Sequence, residues 1–293
     1  MPRELSAVLL GTAAALLAAG AGAQPVGPVL WARAVEPTAG FKIYNPVGTL
    51  RIVGWDRDSI VVRGRLGRGE RMYHDVTARG GKLGIDERAD GGDARPSDLV
   101  IYLPRRSQIA VKTASADVSG ADVSGWFYSV SGTIHLVGTS TSIDAESMSG
   151  NVSLDVSAPW VHARTGDGHL LLRGAPQDAD VSTIGGTLDV ASQATLRGRF
   201  ASVTGDIHYV GTPPSGAILE FSNHSGSVDC LLPRGAAGVF ELSTVTGDIV
   251  NGYTRVRPAA QPGRGRTLRV DLGGGGGHVS VRTFKGTIRL RGP

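Results

Sequence analysis

The chain has 293 residues and a formal net charge of +4, and its 43 glycines are about twice the usual share of roughly 7%. With 41% apolar residues and no glycine at every third position, the composition excludes both a disordered chain and a collagen-like one. The single cysteine, Cys230, excludes an intrachain disulfide, a cysteine-rich metal site and a redox pair. A folded protein with many tight turns remains.

The chain begins with a predicted secretory signal peptide over residues 1–23. Arg3 precedes an apolar run over residues 5–19, and the small residues 21–23 suit a signal peptidase. An N-terminal membrane anchor is the alternative, because Glu4 weakens the charged start, but the run is shorter than the roughly 18 residues that a span needs. We therefore expect a secreted protein, periplasmic or extracellular, that is not transmembrane once processed.

A glycine-centred unit recurs through most of the remaining chain. It consists of a Ser or Thr, two further residues, the Gly, a polar residue and an apolar alternation, as in residues 129–136 (SVSGTIHL) and 147–154 (SMSGNVSL). The intervals between successive glycines are 18, 18, 18, 19, 21, 21 and 39 residues, and the last holds about two periods. The glycines are Gly132, Gly150, Gly168, Gly186, Gly205, Gly226, Gly247 and Gly286.

Aligning the units on this glycine produces three columns of uniform chemistry. Two residues after the glycine, the side chain is always aliphatic: Ile134, Val152, Leu170, Leu188, Ile207, Val228, Ile249 and Ile288. Five residues before it, the side chain is always apolar: Phe127, Ala145, Ala163, Val181, Phe200, Phe221, Leu242 and Val281. Three residues before it, the side chain is small and polar: Ser129, Ser147, Thr165, Thr183, Ser202, Asn223, Thr244 and Thr283.

The apolar alternation changes phase at the glycine. Ile143 and Ala145 alternate in one phase before it, whereas Val152 and Leu154 alternate in the opposite phase after it. Because side chains on one strand keep a period of two, the chain must bend or bulge there, and we expect glycine because it reaches backbone angles closed to other residues. Each repeat is therefore predicted to be two short strands joined by a corner.

One such unit cannot bury its own apolar face, so we expect units to stack about 4.8 Å apart. The predicted fold is all-β: a single-domain β-solenoid, or β-helix, with coils of 18–21 residues and, from the habit of β-helices, right-handed winding. The same register extends back to residues 109–118 and 41–52, which makes ten copies. The polar column is expected to hydrogen-bond to the turn backbone or along the stack.

This reading divides the mature chain into three regions. Residues 24–40 are predicted to be an N-terminal linker. Residues 41–106 form an N-terminal β segment that either caps the stack or supplies its first coils, and residues 107–293 hold the solenoid repeats.

Several segments resemble the bacterial family DUF4097, labelled "putative adhesin", and its relatives with an adhesin-like β-helix. The matching segments are residues 45–52 (NPVGTLRI) followed by 54–56 (GWD), residues 99–105 (LVIYLPR) echoed at 231–235 (LLPRG), and residues 275–288 (GGGHVSVRTFKGTI). The resemblance covers about residues 40–292. It implies an exported β-solenoid and brings no catalytic motif that could be transferred to this chain.

Charge is distributed unevenly along the chain. Residues 107–251 carry 6 basic and 14 acidic groups, whereas residues 252–293 carry 9 basic groups and 1 acidic group. One interpretation is that Arg282, Lys285, Arg289 and Arg291 protect the exposed edge of a terminal coil. The other is that these residues, with Arg255, Arg257, Arg264, Arg266 and Arg269, bind an anionic component of the cell envelope or the acidic body of a second copy. Nucleic acid is not expected, since no aromatic residues are interleaved with these basic ones.

Outward columns place acids and histidines on successive coils. Six residues before the glycine stand Asp144, His162, Asp180, Arg199, Glu220 and Glu241, and three after it stand Asp189, His208 and Asp229. Asp189, His208, Asp229 and the nearby Asp206 are one candidate group for a metal or for acid–base chemistry on a polysaccharide. The alternative is a solvated ladder of opposite charges, with Glu146 facing Arg164 in the same way.

We interpret these patterns as a non-catalytic, adhesin-like binding or structural module of the cell envelope. No catalytic residue, cofactor or metal is expected, and the partner is unknown. Two alternatives stay open: a carbohydrate-active lyase or hydrolase on a β-helix, and a self-assembling envelope scaffold whose oppositely charged ends stack.

Overall fold

The computed structural model describes residues 27–86, 96–192, 194–261, 263 and 265–292, so the predicted signal peptide over residues 1–23 lies outside the described residues. The described residues are all-β, with 27 strands and no helix. Accordingly, this part of the chain contains no helix long and apolar enough to cross a membrane.

The strands are short, with three to seven residues each. In chain order they are β1 (Val29–Ala34), β2 (Gly40–Tyr44), β3 (Thr49–Trp55), β4 (Ser59–Arg65), β5 (Arg71–Thr77), β6 (Gly80–Asp86), β7 (Asp98–Pro104), β8 (Gln108–Thr113), β9 (Asp117–Ala121), β10 (Ser124–Ser129), β11 (Ile134–Thr139), β12 (Ser142–Ser147), β13 (Val152–Ser157), β14 (Trp160–Thr165), β15 (Leu170–Gly174), β16 (Asp178–Thr183), β17 (Leu188–Val190), β18 (Arg197–Ser202), β19 (Ile207–Val210), β20 (Ile218–Asn223), β21 (Val228–Leu231), β22 (Val239–Thr244), β23 (Ile249–Asn251), β24 (Ala259–Gln261), β25 (Gly265–Asp271), β26 (His278–Thr283) and β27 (Ile288–Arg291).

The strands form two large mixed sheets, and neither sheet closes on itself. The 14-stranded sheet has the order β24-β25-β22-β26-β20-β18-β16-β14-β12-β10-β8-β2-β6-β5, and the 13-stranded sheet has the order β1-β4-β7-β3-β9-β11-β13-β15-β17-β19-β21-β27-β23. In every repeat, the strand before the glycine belongs to the first sheet and the strand after it to the second. The predicted corner therefore carries the chain from one sheet to the other.

Successive repeats pair in parallel, in the register that the glycine alignment predicts. Strand β10 pairs with β12 so that Phe127 lies opposite Ala145, and β11 pairs with β13 so that Ile134 lies opposite Val152. The inward columns of both sheets are buried in one hydrophobic core, where the rings of Phe200 and Phe221 stack with centroids 4.8 Å apart. The apolar columns are thus confirmed as the core.

The repeat glycines are required by close approach of the backbone. None of the eight has a positive φ, so the expectation that they adopt backbone angles closed to other residues is wrong. A Cβ added at Gly186 would lie 1.8 Å from the carbonyl oxygen of Gly168, and one at Gly205 would lie 1.9 Å from that of Gly186. Seven of the eight pack on the glycine of a neighbouring repeat and Gly132 packs on Ala116, so a side chain at any of them would collide with backbone.

The small polar column hydrogen-bonds to the corner backbone, as predicted. The backbone N–H of Gly168 donates to Thr165 Oγ1 at 3.3 Å, and the Thr165 hydroxyl donates to the Gly150 carbonyl at 2.9 Å. Asn223 repeats the arrangement with its amide, which donates to the Gly205 carbonyl at 2.7 Å. These bonds satisfy buried polar groups that would otherwise cost about 1–3 kcal/mol each.

At the N-terminal end, the predicted register extends as expected. Strand β2 pairs with β8, placing Phe41 opposite Ile109, and β3 pairs with β9, placing Leu50 opposite Val118. The chain between these two repeats adds antiparallel pairs beyond them: β4 with β7 and with β1, and β5 with β6. This end of both sheets therefore terminates in antiparallel strands.

At the C-terminal end, the last repeat is inserted between two earlier ones. Strand β26 pairs in parallel with both β20 and β22, and β27 pairs with both β21 and β23. The interpretation of Arg282, Lys285, Arg289 and Arg291 as protection for an exposed terminal edge is therefore wrong, because β26 and β27, which carry the arginines and flank Lys285, are paired on both sides. The edge strands here are β24 and β23.

Candidate functional site

The first predicted candidate group lies on the outward face of the 13-stranded sheet, and only part of it comes together. His208 Nδ1 lies 2.9 Å from Asp189 Oδ1, as the column predicts. His169, which the sequence analysis did not include, places its Nε2 2.8 Å from the other carboxylate oxygen of Asp189. Asp189 on β17 thus bridges His208 on β19 and His169, which immediately precedes β15, and both of its oxygens are engaged.

The other two members of that group are engaged elsewhere. Asp229 pairs with Arg291 at 2.7 Å and Arg289 at 3.6 Å, because the inserted strand β27 lies beside β21. Asp206 Oδ1 accepts a hydrogen bond from the backbone N–H of Ser227 at 2.7 Å and so belongs to a corner. The four residues do not form one metal or catalytic site.

Part of the C-terminal basic charge is neutralised within the chain. Arg266 pairs with Asp248 at 3.1 Å, and Arg269 pairs with Glu241. Together with the pairs at Asp229, these contacts join the basic end to the acidic body of the same molecule. Arg264, another member of the predicted basic set, lies outside the described residues.

On the outward face of the 14-stranded sheet, the column six residues before the glycine brings an acid and a histidine together. His162 Nδ1 lies 2.9 Å from Asp144 Oδ1. One donor atom each from Asp144, Glu146 and His162 lie within 4.8 Å of one another, a set that could hold a metal ion. Glu146 and Arg164 are register neighbours, but within the described chain no ion pair joins them. We call Asp144 and Glu146 the acid pair.

Aromatic side chains lie beside the acid pair on the same face. Trp126 stacks on Tyr128 with ring centroids 5.6 Å apart, and Trp160 stacks on His162 at 5.7 Å. Trp160 is 43% exposed and Tyr44, three strands from the acid pair's strand in the same sheet, is 38% exposed. Large exposed aromatic groups are typical of binding surfaces.

These aromatic residues recur on every second strand of the sheet. The strand order β5-β6-β2-β8-β10-β12-β14 carries Tyr73 on β5, Tyr44 on β2, Trp126 and Tyr128 on β10, and Trp160 on β14. Tyr73, Gly84 and Tyr44 share one register position, as do Tyr44, Lys112 and Tyr128. We call the five aromatic residues the aromatic track.

Successive aromatic levels are therefore about 9.6 Å apart, and the track crosses about 29 Å of the sheet. An open depression of about 420 Å³ lies on β6, β2 and β8, lined in part by Gly40, Lys42 and Ala110. Small residues on the outer face produce this depression, since Ala110 is the register neighbour of Trp126.

The aromatic track was not predicted from the sequence. On the glycine alignment its members fall four, six and eight residues before the glycine, so no single column contains them. Tyr73 lies outside the alignment altogether, on an antiparallel strand. The available signal was the outward parity of these positions: in a chain with only 16 aromatic residues, an outward Trp or Tyr has no role in the core.

Among the described residues, two buried titratable groups have strongly raised pKa values, and both belong to the core. Burial, and next the charge of Asp229, raise the pKa of the Cys230 thiol to about 12. Burial also raises the pKa of Tyr209 well above its usual range, and its hydroxyl has no hydrogen-bond partner. Cys230 is fully buried, as the sequence predicts for a packing residue, and its protonated thiol is not a nucleophile.

No protein-family model matches the chain, and no curated protein matches it. Among solved structures, a "putative cell adhesion protein" from Clostridium sporogenes aligns with 90% of this chain and 98% of its own, at 11% identity and a TM-score of 0.22. A "putative adhesin" from Bacteroides fragilis aligns with 92% of this chain and 100% of its own, at 12% identity and a TM-score of 0.41. At these values neither likeness shows what this chain does.

Proposed function

We propose that this protein is an exported, non-catalytic β-solenoid of the DUF4097 type, which acts through its surface as an adhesin-like binding or structural module of the cell envelope. The parallel, in-register pairing of successive repeats across two sheets supports the solenoid. Right-handed winding remains part of this proposal. The predicted signal peptide supports export.

The observation that carries the binding function is the aromatic track. Its side chains lie on the outer face of the 14-stranded sheet, and Trp126, Tyr128 and Trp160 stack only on neighbours of that same face. Such groups add little to the core, whereas aromatic residues are the commonest energetic anchors of binding surfaces. A surface that is costly to expose and unnecessary for folding is best explained by a ligand.

Cosedimentation with cell envelopes, isolated from the organism that produces the protein, tests this function. The mature chain is expected to sediment with the envelopes, and the double variant Trp126→Ala/Trp160→Ala is expected to remain in the supernatant. Trp55→Ala is the matched control, because Trp55 lies on the other sheet, where its ring stacks on Tyr102 at 5.2 Å. A wild-type chain that stays in the supernatant, or a double variant that sediments normally, would contradict the proposal.

A carbohydrate-active enzyme is the second candidate, and one observation favours it. The acid pair lies beside His162, and a pair of carboxylates on a sugar-binding face is the usual machinery of glycoside hydrolysis. Reducing-sugar release from envelope polysaccharides separates the two functions. Our proposal expects binding without turnover, and turnover abolished by Glu146→Gln would replace it with the enzyme.

Self-assembly through the charged ends is the third candidate. Four basic residues of this end, Arg266, Arg269, Arg289 and Arg291, pair with carboxylates of the same chain, which leaves less charge for a second copy. Light scattering at low and high salt is expected to give the same particle size. Large particles that dissolve as salt rises would favour a self-assembling scaffold.

A further inference from the structure

The spacing of the aromatic track matches the repeat of a polymer. Its four levels lie on β5, β2, β10 and β14, with one strand between each pair of levels. Two strands span about 9.6 Å, close to the length of two pyranose rings in an extended, equatorially linked polysaccharide. Trp160 stands at the register of Ser142, two residues along the strands from Trp126, but its ring stacks on His162, which shares the register of Trp126. A ligand that crosses the strands obliquely at this end and stacks about every second sugar would meet an aromatic ring at each level.

The strands between the aromatic levels carry smaller or polar residues. Gly84 lies between Tyr73 and Tyr44, where an added Cβ would come within 2.7 Å of the Tyr73 hydroxyl. Lys112 lies between Tyr44 and Tyr128, and the acid pair lies on β12 between β10 and β14. Sugars suit a surface that alternates aromatic and polar groups. Their ring faces carry C–H bonds that pack on aromatic faces, and the hydroxyls at their edges hydrogen-bond to charged side chains.

The charges beside the track favour a ligand without net charge. Lys42, Lys82 and Lys112 lie on β2, β6 and β8, with Asp75 opposite Lys82, and the acid pair lies on β12, with Arg164 opposite Glu146. A uniformly charged polymer of either sign would therefore meet like charges along the track. Hydroxyl groups both donate and accept hydrogen bonds, so they suit lysines and carboxylates alike.

We propose that the aromatic track binds a neutral, extended polysaccharide that crosses the strands of the 14-stranded sheet and stacks about every second sugar on Tyr73, Tyr44, Trp126 with Tyr128, and Trp160. This inference rests on the proposed function and names its ligand class. The open depression beside Tyr44 and Trp126 leaves room for the substituents of a sugar. No enclosed pocket is required, because a flat, open face accommodates a chain that continues beyond it in both directions.

Affinity electrophoresis of the mature chain tests the ligand class directly. Gels containing hydroxyethyl cellulose or glucomannan are expected to retard the protein, and gels containing polygalacturonate are not. Because stacking and hydroxyl bonds carry the affinity, retardation by the neutral polymers is expected to survive high salt. Retardation only by polygalacturonate, lost as salt rises, would overturn the proposal and favour the basic end as the binding surface.

Oligosaccharide length and single substitutions test the track itself. In calorimetry, affinity for neutral oligosaccharides is expected to rise as the chain grows from two sugars to about six, the length of the track. Tyr44→Ala and Trp160→Ala, at separate levels, are each expected to weaken binding of the longest oligosaccharide by about tenfold, while Trp55→Ala does not. Equal affinity for all lengths, or wild-type binding by both track variants, would overturn the proposal.

The envelope experiment distinguishes this inference from the proposed function. Track-dependent sedimentation with envelopes, combined with no binding to any neutral polysaccharide, would remove the ligand class and leave the binding module. If the chain neither sediments with envelopes nor binds a neutral polysaccharide, the proposed function is contradicted as well.

Discussion

The corner columns and the aromatic track are both periodic, but they differ in what their side chains contact. At the corners, nearly every repeat has a largely buried glycine packed on a neighbouring glycine and a hydroxyl or amide bonded to backbone. Along the track, aromatic rings recur on alternate strands, lie at the surface and contact only residues of the same face. Periodicity alone therefore does not separate structure from function; the separating feature is whether the repeated group has a partner inside the fold.

The largest loss of stability is expected when one of the stacked corner glycines is substituted. Gly186→Ala places a Cβ 1.8 Å from a backbone carbonyl, and backbone cannot move aside cheaply. We expect a loss of about 3 kcal/mol or more in the free energy of unfolding, measured by urea titration. Gly252→Ala is the control, since its Cβ would meet its nearest neighbour at 3.5 Å. Equal stability of the two variants would show that the stacked glycines are not sterically required.

A smaller loss of stability is expected from substitutions in the small polar column. Thr165→Val keeps the shape but leaves the Gly168 N–H and the Gly150 carbonyl without the hydroxyl that they share. The expected loss is about 1–3 kcal/mol by thermal or urea unfolding. Ser202 stands in the same column with no hydrogen-bond partner, so Ser202→Ala is expected to cost little. A reversed order of the two variants would refute the hydrogen-bond account of this column.

Removing an unpartnered polar group from the interior is expected to stabilise the protein. The Tyr209 hydroxyl is buried and makes no hydrogen bond, so Tyr209→Phe removes an uncompensated group while keeping the ring. We expect the free energy of unfolding to rise by about 1 kcal/mol. A destabilised Phe variant would mean that the hydroxyl has a partner in solution.

The smallest effect is expected when the native protein is treated with a thiol reagent, whose target is Cys230. Its thiol is fully buried, and burial raises its pKa to about 12, so almost no thiolate exists at neutral pH. A thiol reagent is expected to leave the native protein unmodified and to react with one equivalent after denaturation. Rapid labelling of the native protein would contradict the burial of this column.

Much of the core could be predicted from the sequence because its determinants are local. The period of 18–21 residues and the change of phase at the glycine identify the strands, the corner and the inward residues. The contact between Asp189 and His208 followed from the same columns. The insertion of the last repeat did not, because all repeats share one pattern. Asp229 lies opposite His208, as its column predicts, but the inserted strand lies on its other side, and Asp229 pairs with Arg289 and Arg291 instead.

The candidate site was harder to predict than the core. Trp126, Tyr128 and Trp160 occupy three different columns, and Tyr73 joins them only through antiparallel pairing. These residues are neighbours only because their strands lie near one another in the sheet, and the order of the strands depends on the whole fold. Sequence patterns of single repeats do not contain it.

The most direct test of the distinction between corner and track is to measure stability and binding on the same variant. Trp126→Ala/Trp160→Ala is expected to unfold in urea within about 0.5 kcal/mol of the wild-type chain, as surface substitutions do, while losing retardation by neutral polysaccharides. A double variant that is strongly destabilised, or that is as stable as the wild type and still binds, would contradict the account.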